Sequence, residues 1–175
     1  MTSPALTLDQ INRMSSSEFS RAFGRVFEHS PWIAERSFAA RPFASIDALH
    51  GAMCTVVREA SETEQRALLA AHPALAGREA IQGELTAEST REQAAAGLDA
   101  LSRAEMARIG ELNEAHAARF GFPFIIAVRL NTKAQIFAEF ERRLQFDPAA
   151  ERLACLEQVY LITRLRLGDL ASAQS

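Results

Sequence analysis

Ser102-Arg103-Ala104-Glu105-Met106-Ala107-Arg108-Ile109-Gly110-Glu111-Leu112-Asn113-Glu114-Ala115-His116-Ala117-Ala118-Arg119-Phe120-Gly121 reads as one complete helix with its start and stop signals. Ser102 and Glu105 form a capping box, in which each side chain satisfies the other's backbone N–H. Met106, Ile109, Leu112 and Phe120 then recur along one face, and Gly121 can take the left-handed conformation that ends a helix. The same grammar extends outward in both directions. Ser15 with Glu18 precedes Phe19, Phe23, Val26 and Phe27. Ser30 with Pro31 opens a short helix carrying Trp32, Ile33 and Phe38, which should end before Pro42. Ser45 caps a third with Ile46, Leu49, Met53, Val56 and Val57 inward, and Ser61 with Glu64 launches a helix that runs into His72. Downstream, a helix is expected across Ala87 to Leu98. Asn131 or Thr132 caps another with Ile136, Phe140 and Leu144, and Asp147-Pro148 opens the last, carrying Leu153, Leu156, Val159, Tyr160 and Ile162. Period 3.6 with helix caps throughout, and no sustained alternation, makes the fold class all-α.

A chain of 175 residues can bury one sizeable core, so a single multi-helix domain over 1–175 is expected, with 1–6 and 171–175 as loose ends. Its net charge of -3, with both signs interspersed, offers no basic stripe for nucleic acid. Apolar runs fall short of a membrane span, and Met1-Thr2-Ser3-Pro4-Ala5 has no charged n-region, so a cytoplasmic protein is expected. The last residues also lack a peroxisomal address. Cys54 and Cys155 stand far apart in apolar helical patterns and read as buried thiols of a reducing compartment.

Three places interrupt this pattern. Pro73 disfavours the α conformation at the preceding residue, so His72 sits at or just past a helix end, where an imidazole is presented for proton transfer near neutral pH. A histidine near a helix C-terminus can equally be held there by the macrodipole alone. Pro73 to Leu85 reads as a loop or broken turn. Ser89-Thr90-Arg91-Glu92-Gln93 gathers hydroxyl, carboxylate and amide groups before Ala94-Ala95-Ala96-Gly97, residues small enough for close approach. Ser89 and Glu92 would also serve as an ordinary capping box. Gly121-Phe122-Pro123-Phe124-Ile125-Ile126-Ala127-Val128 is short, apolar and bounded by proline: an extended segment with backbone N–H groups free for a ligand, or else a buried connector. Arg164 and Arg166 point in different directions; one is an ordinary solvated cation, and the other needs a carboxylate or anionic partner. Spacing does not choose between them. His29, His50 and His116 read as structural or solvated. The helix-spaced zinc motifs and the glycine-rich phosphate loop are both missing.

In order, His72-Pro73-x-Leu75-Ala76-Gly77, Leu85-Thr86-Ala87-Glu88-Ser89-Thr90-Arg91-Glu92-Gln93 and Phe120-Gly121-Phe122-Pro123-Phe124 resemble the 2-oxo-4-hydroxy-4-carboxy-5-ureidoimidazoline (OHCU) decarboxylases. Phe27-Glu28-His29-Ser30-Pro31-Trp32 and Arg41-Pro42-Phe43 extend the likeness over nearly the whole length. The resemblance implies an all-α fold, a homodimer, no metal or organic cofactor, and formation of (S)-allantoin and CO2 at the end of urate degradation. It places catalysis at His72, Glu92 and Arg166. Substrate binding falls to Pro73, Ser89, Thr90, Arg91, Gln93 and the backbone of Phe124, Ile125, Ile126, Ala127 and Val128. Arg166 is preferred to Arg164 on the resemblance alone, through Arg166-Leu167-Gly168-Asp169-Leu170. One departure is Leu130, where relatives carry glycine. The alternative is a helical module that has kept the fold and binds a purine-derived ligand or a protein partner without catalysis.

That reaction suits the residues. A carboxylate on a ring carbon beside a C=N bond already has an electron sink, so the substrate needs no cofactor to lose CO2. The hydroxyl then becomes the carbonyl of the product, and one face of the ureido-bearing carbon takes a proton. His72 can accept the first proton and deliver the second, a role worth about 10²–10⁴ in rate. Glu92 can accept N–H groups of the substrate and orient His72, and Arg166 can hold a carboxylate or carbonyl with its planar fork.

Overall fold

The computed structural model describes residues 5–77, 80 and 82–171. Among them the regular structure is helical: α1 Leu8–Arg13, α2 Ser16–Phe23, α3 Trp32–Ser37, α4 Ile46–Glu59, α5 Glu62–Ala70, α6 Ala87–Ala95, α7 Arg103–Phe120, α8 Lys133–Arg143 and α9 Pro148–Leu170. Short 3-10 turns at Phe38–Ala40 and Val128–Leu130 complete it. No strand forms among the described residues. Leu6 and Ala171 make an isolated bridge, with the Leu6 N–H donating to Leu170 O at 2.9 Å, so defined structure reaches into both stretches expected as loose ends. The remainder of those stretches, 1–4 and 172–175, lies outside the described residues, as do 78, 79 and 81 of the loop expected over Pro73 to Leu85. Within that loop residues 80 and 82 are helical.

Most capping signals act where the sequence puts them; at α3 Pro31, not Ser30, stands at the N-cap and no side chain caps it. Ser15, Ser102 and Thr132 each form a complete box, with Glu18, Glu105 and Gln135. Ser45 accepts Ala48 N–H, and Asp147 accepts the N–H groups of Ala149 and Ala150. Gly121 ends α7 in the left-handed region at φ +79. Four details differ. The second helix ends at Phe23, so Val26 and Phe27, read as part of its apolar face, lie beyond it, though both are buried. Thr86, not Ser89, caps α6 by accepting Ser89 N–H, which leaves Ser89 in the first turn. That helix stops at Ala95 rather than Leu98, because Gly97 turns left-handed at φ +73 and Leu98 N–H returns to Gln93 O. Leu153, expected to face inward, is 56% exposed; the buried stripe of α9 passes through Glu151, Cys155, Leu156 and Val159 instead.

The chain divides into two compact units, one of the residues up to Leu68 together with those from Tyr160 onward, the other Leu69–Val159. In the first unit α2, α3 and α4 pack together. The Phe19 ring meets those of Phe23, Phe38 and Phe43 at 4.8, 5.6 and 6.0 Å, and Ile11, Ile33, Leu49 and Met53 are fully buried around them. The Asn12 side-chain amide pairs with both backbone groups of Phe43, which fixes the chain between α3 and α4. In the second unit Leu75, Ile109, Leu112, Ile126, Ile136 and Phe140 share one core with Phe124, whose ring stacks on Phe140 at 3.9 Å.

Candidate active site

His72 follows the end of α5 by two residues, as the Pro73 rule requires, and its N–H donates to Leu69 O at 3.2 Å. The side chain is 8% exposed. It lines a cavity of 310 Å³ together with Ala74, Asn113, Gly121, Phe122 and Pro123, whose walls are small and apolar apart from the Asn113 amide and exposed backbone. The turn that carries it is tight. Gly77 N–H bonds Ala74 O at 3.2 Å, and Ala76 lies in the left-handed region at φ +45.

The α6 cluster is spread around its helix. Gln93 is buried, and its Oε1 accepts Ala76 N–H at 2.9 Å, which connects α6 to the His72 turn. Ser89 is buried and Glu92 half-buried. Thr90 and Arg91 face solvent: the Thr90 hydroxyl donates to Thr86 O, while Arg91 donates to Ala87 O and lies 3.8 Å from Glu88. None of the five residues from Ser89 to Gln93 lines the cavity.

Phe124 through Ala127 form no regular structure before the 3-10 turn that Val128 opens, and all five side chains are buried, so this segment can offer a ligand only backbone. Ala127 is already committed: its N–H donates to Gln158 Oε1 at 3.0 Å and its carbonyl accepts from Asn131. Leu130 is 55% exposed at the end of the turn, a position where a side chain meets no crowding.

Behind this segment lies a network that sequence reasoning missed. Arg143 and Glu151 are 1% and 0% exposed and paired twice, Nε to Oε2 at 3.0 Å and Nη2 to Oε1 at 2.6 Å. Arg143 Nη1 also donates to Ile125 O at 2.8 Å, and its guanidinium lies 4.5 Å from the centre of the Phe124 ring. His116, fully buried rather than solvated, meets Glu151 at 2.8 Å through Nε2 and Phe122 O at 3.0 Å through Nδ1. Burial alone raises the Glu151 carboxyl, but the hydrogen bonds from His116 and Arg143 outweigh it and hold the group below its ordinary value. Burial pushes the neighbouring Cys155 thiol up to about 12, so it is inert as a nucleophile. His116, Glu151 and Cys155 come within 4.8 Å of one another, as metal ligands would, but the Arg143 guanidinium bonds both Glu151 and Cys155 and takes the place of a cation. The signal was present in the register: Arg143 follows Ile136 and Phe140 on the buried face of α8, and Glu151 precedes Cys155 on that of α9.

Arg166 belongs to the other unit. It is 5% exposed, and its Nη1 donates to Glu28 Oε2 at 2.8 Å and to Val26 O at 3.4 Å. The chain turns left-handed at His29, φ +46, with the His29 side chain exposed and Glu28 buried. Arg164 is exposed and pairs with Asp47 at 2.8 Å. Of the two candidates, Arg166 is therefore the arginine with a buried carboxylate partner.

The sequence profile of the OHCU decarboxylases matches residues 12–168. The 2-oxo-4-hydroxy-4-carboxy-5-ureidoimidazoline decarboxylase of Haloferax volcanii is 43% identical over 169 residues, covering 97% of this chain and 98% of the relative. The crystal structure of (S)-allantoin synthase superposes with a TM-score of 0.75 at 31% identity, over 95% of this chain and 54% of that one. An OHCU decarboxylase crystallised in the presence of (S)-allantoin shares the fold, with a TM-score of 0.67 at 22% identity over 90% of this chain and 98% of that one.

Proposed function

The chain belongs to the OHCU decarboxylase family, and on that premise we infer that it converts 2-oxo-4-hydroxy-4-carboxy-5-ureidoimidazoline to (S)-allantoin and CO2. The observation that carries the chemical part of this reading is His72, a buried residue on a tight turn that lines a cavity of 310 Å³. Loss of CO2 moves the bond electrons through the ring C=N onto its nitrogen, which takes up one proton from water, and leaves an enol. His72 takes the hydroxyl proton as the carbonyl forms and protonates the ureido-bearing carbon from one side only, which sets the S configuration. A dry site strengthens each electrostatic contact made during this step.

Glu92 accepts N–H groups of the substrate, and Arg166, neutralised and oriented by Glu28, holds its carboxylate or carbonyl. Gln93 acts on the turn that carries His72, and the backbone of Phe124 to Ile126 lies along the ring. The buried thiols Cys54 and Cys155 accord with a cytoplasmic enzyme. A homodimer rests on the family resemblance and is checked by sedimentation. Among the described residues no helix is long and apolar enough to cross a membrane.

The test is optical. Purified protein added to urate, urate oxidase and hydroxyisourate hydrolase should generate a circular-dichroism signal of (S)-allantoin well ahead of the spontaneous reaction. Racemic product at the background rate would overturn the reading in favour of a binding module.

A further inference from the structure

The peptide bond between Leu75 and Ala76 is held from both sides. Asn113 Nδ2, from the middle of α7, donates to Leu75 O at 2.9 Å, and Gln93 Oε1, from α6, accepts Ala76 N–H at 2.9 Å. Orienting that one peptide plane fixes the torsion on either side of it, and Ala76 is the residue found left-handed at φ +45, a region alanine seldom enters. Such strain persists where the surroundings over-determine it, and it concentrates at functional sites. The Asn113 amide has one further peculiarity: its Oδ1 is buried and takes no hydrogen bond among the described residues. Flipping the amide would set oxygen against Leu75 O, so the donor bond dictates the orientation and leaves the acceptor unmet. Stability alone selects against an unmet buried acceptor. Asn113 and His72 line the same cavity.

We propose that Asn113 is a positioning residue for the decarboxylation: with Gln93 it clamps the Leu75–Ala76 peptide in the left-handed turn and so aims the His72 imidazole into the cavity. This rests on the role given to His72 above. Asn113 itself moves no proton; it determines where His72 stands, and a misplacement on the order of 1 Å is enough to cost about 100-fold in turnover.

The experiment compares full-length wild type with Asn113→Ala, Asn113→Asp and the double variant Asn113→Asp/Ala76→Gly on freshly generated substrate, each at a temperature where circular dichroism shows it folded. Both single variants lack the donor and should lose about 10- to 100-fold in kcat with KM nearly unchanged. The His72 Cε1–H resonance should shift in both. Glycine enters the left-handed region without the clamp, so the double variant should regain part of the lost kcat. Asn113→Asp keeps the shape of the side chain and serves as the test if Asn113→Ala does not fold. A folded single variant with wild-type kcat, or a loss of kcat that only tracks the folded fraction while the His72 resonance stays in place, would overturn the proposal. Wild type that forms no (S)-allantoin sinks the parent reading instead, which keeps the two failures apart.

Discussion

The turn after His72 and the segment after Phe120 border the same cavity and are held by opposite means. The segment from Phe122 to Ile125 is fixed by charge: His116 and Arg143 donate to its carbonyls, and Glu151 bonds both donors. The turn is fixed by two neutral amides against a left-handed alanine. A charged anchor belongs with a wall that must not move, since breaking a buried ion pair is expensive. Neutral amide bonds are individually weak, and here they hold a strained turn whose value is in where it puts an imidazole. Damage to the first region should therefore show up as lost stability, and damage to the second as lost turnover.

Glu151→Ala is the most severe way to break this contrast. It leaves Arg143 buried and unpaired, so urea or thermal unfolding should report a loss of about 3–5 kcal/mol, with activity following only the folded fraction. A loss below about 1 kcal/mol, or inactive protein that is fully folded, would erase the distinction. Acid sharpens it at intermediate scale. The folded Glu151 group lies below its unfolded value of about 4.3, so its stabilisation is complete above that pH and is lost as pH falls through the folded value. The thermal midpoint of wild type should fall on acidification more steeply than that of Glu151→Gln. Glu64 and Glu105, held at about 2 chiefly by hydrogen bonds from Arg36 and Lys133, titrate in the same direction, so the difference between the two proteins is the readout. Parallel curves would remove Glu151 from the account. The mildest probe is Ala76→Gly. Alanine gives up about 1–2 kcal/mol in the left-handed region, and glycine about 0.5–1 kcal/mol in extra chain entropy, so the variant should be more stable by up to about 1 kcal/mol in urea titration. Clear destabilisation would mean that the turn is not strained.

The helical architecture was legible because capping is local. Ser15 with Glu18, Ser102 with Glu105 and Gly121 need only their neighbours in sequence to act, and all of them do. The capping-box alternative for Ser89 failed for an equally local reason: Thr86 offers the same hydroxyl one turn earlier, and nothing between the two resists helix formation. His72 and the arginine pair were legible as residues that had to be explained, and Arg166 proved to be the one with a buried carboxylate partner. The Arg143–Glu151–His116 network left a signal in the register of Arg143 and Glu151, but its pairing was not legible. Whether a charge can be buried depends on a partner reached through folding, and here the partners stand on α7, α8 and α9. Asn113 hid within the pattern that decided the fold. It sits one position past Leu112 and four past Ile109, half-buried beside the buried face of α7, where a polar residue is itself a signal.

The central claim is that the imidazole of His72 transfers the proton that makes the product chiral. His72→Ala, confirmed folded by its far-ultraviolet spectrum and melting curve, should be supplied with freshly generated substrate and followed by circular dichroism near the allantoin band. The account requires turnover to fall by at least about 10²-fold, with the residual allantoin racemic. Optically pure (S)-allantoin formed at the wild-type rate would contradict it.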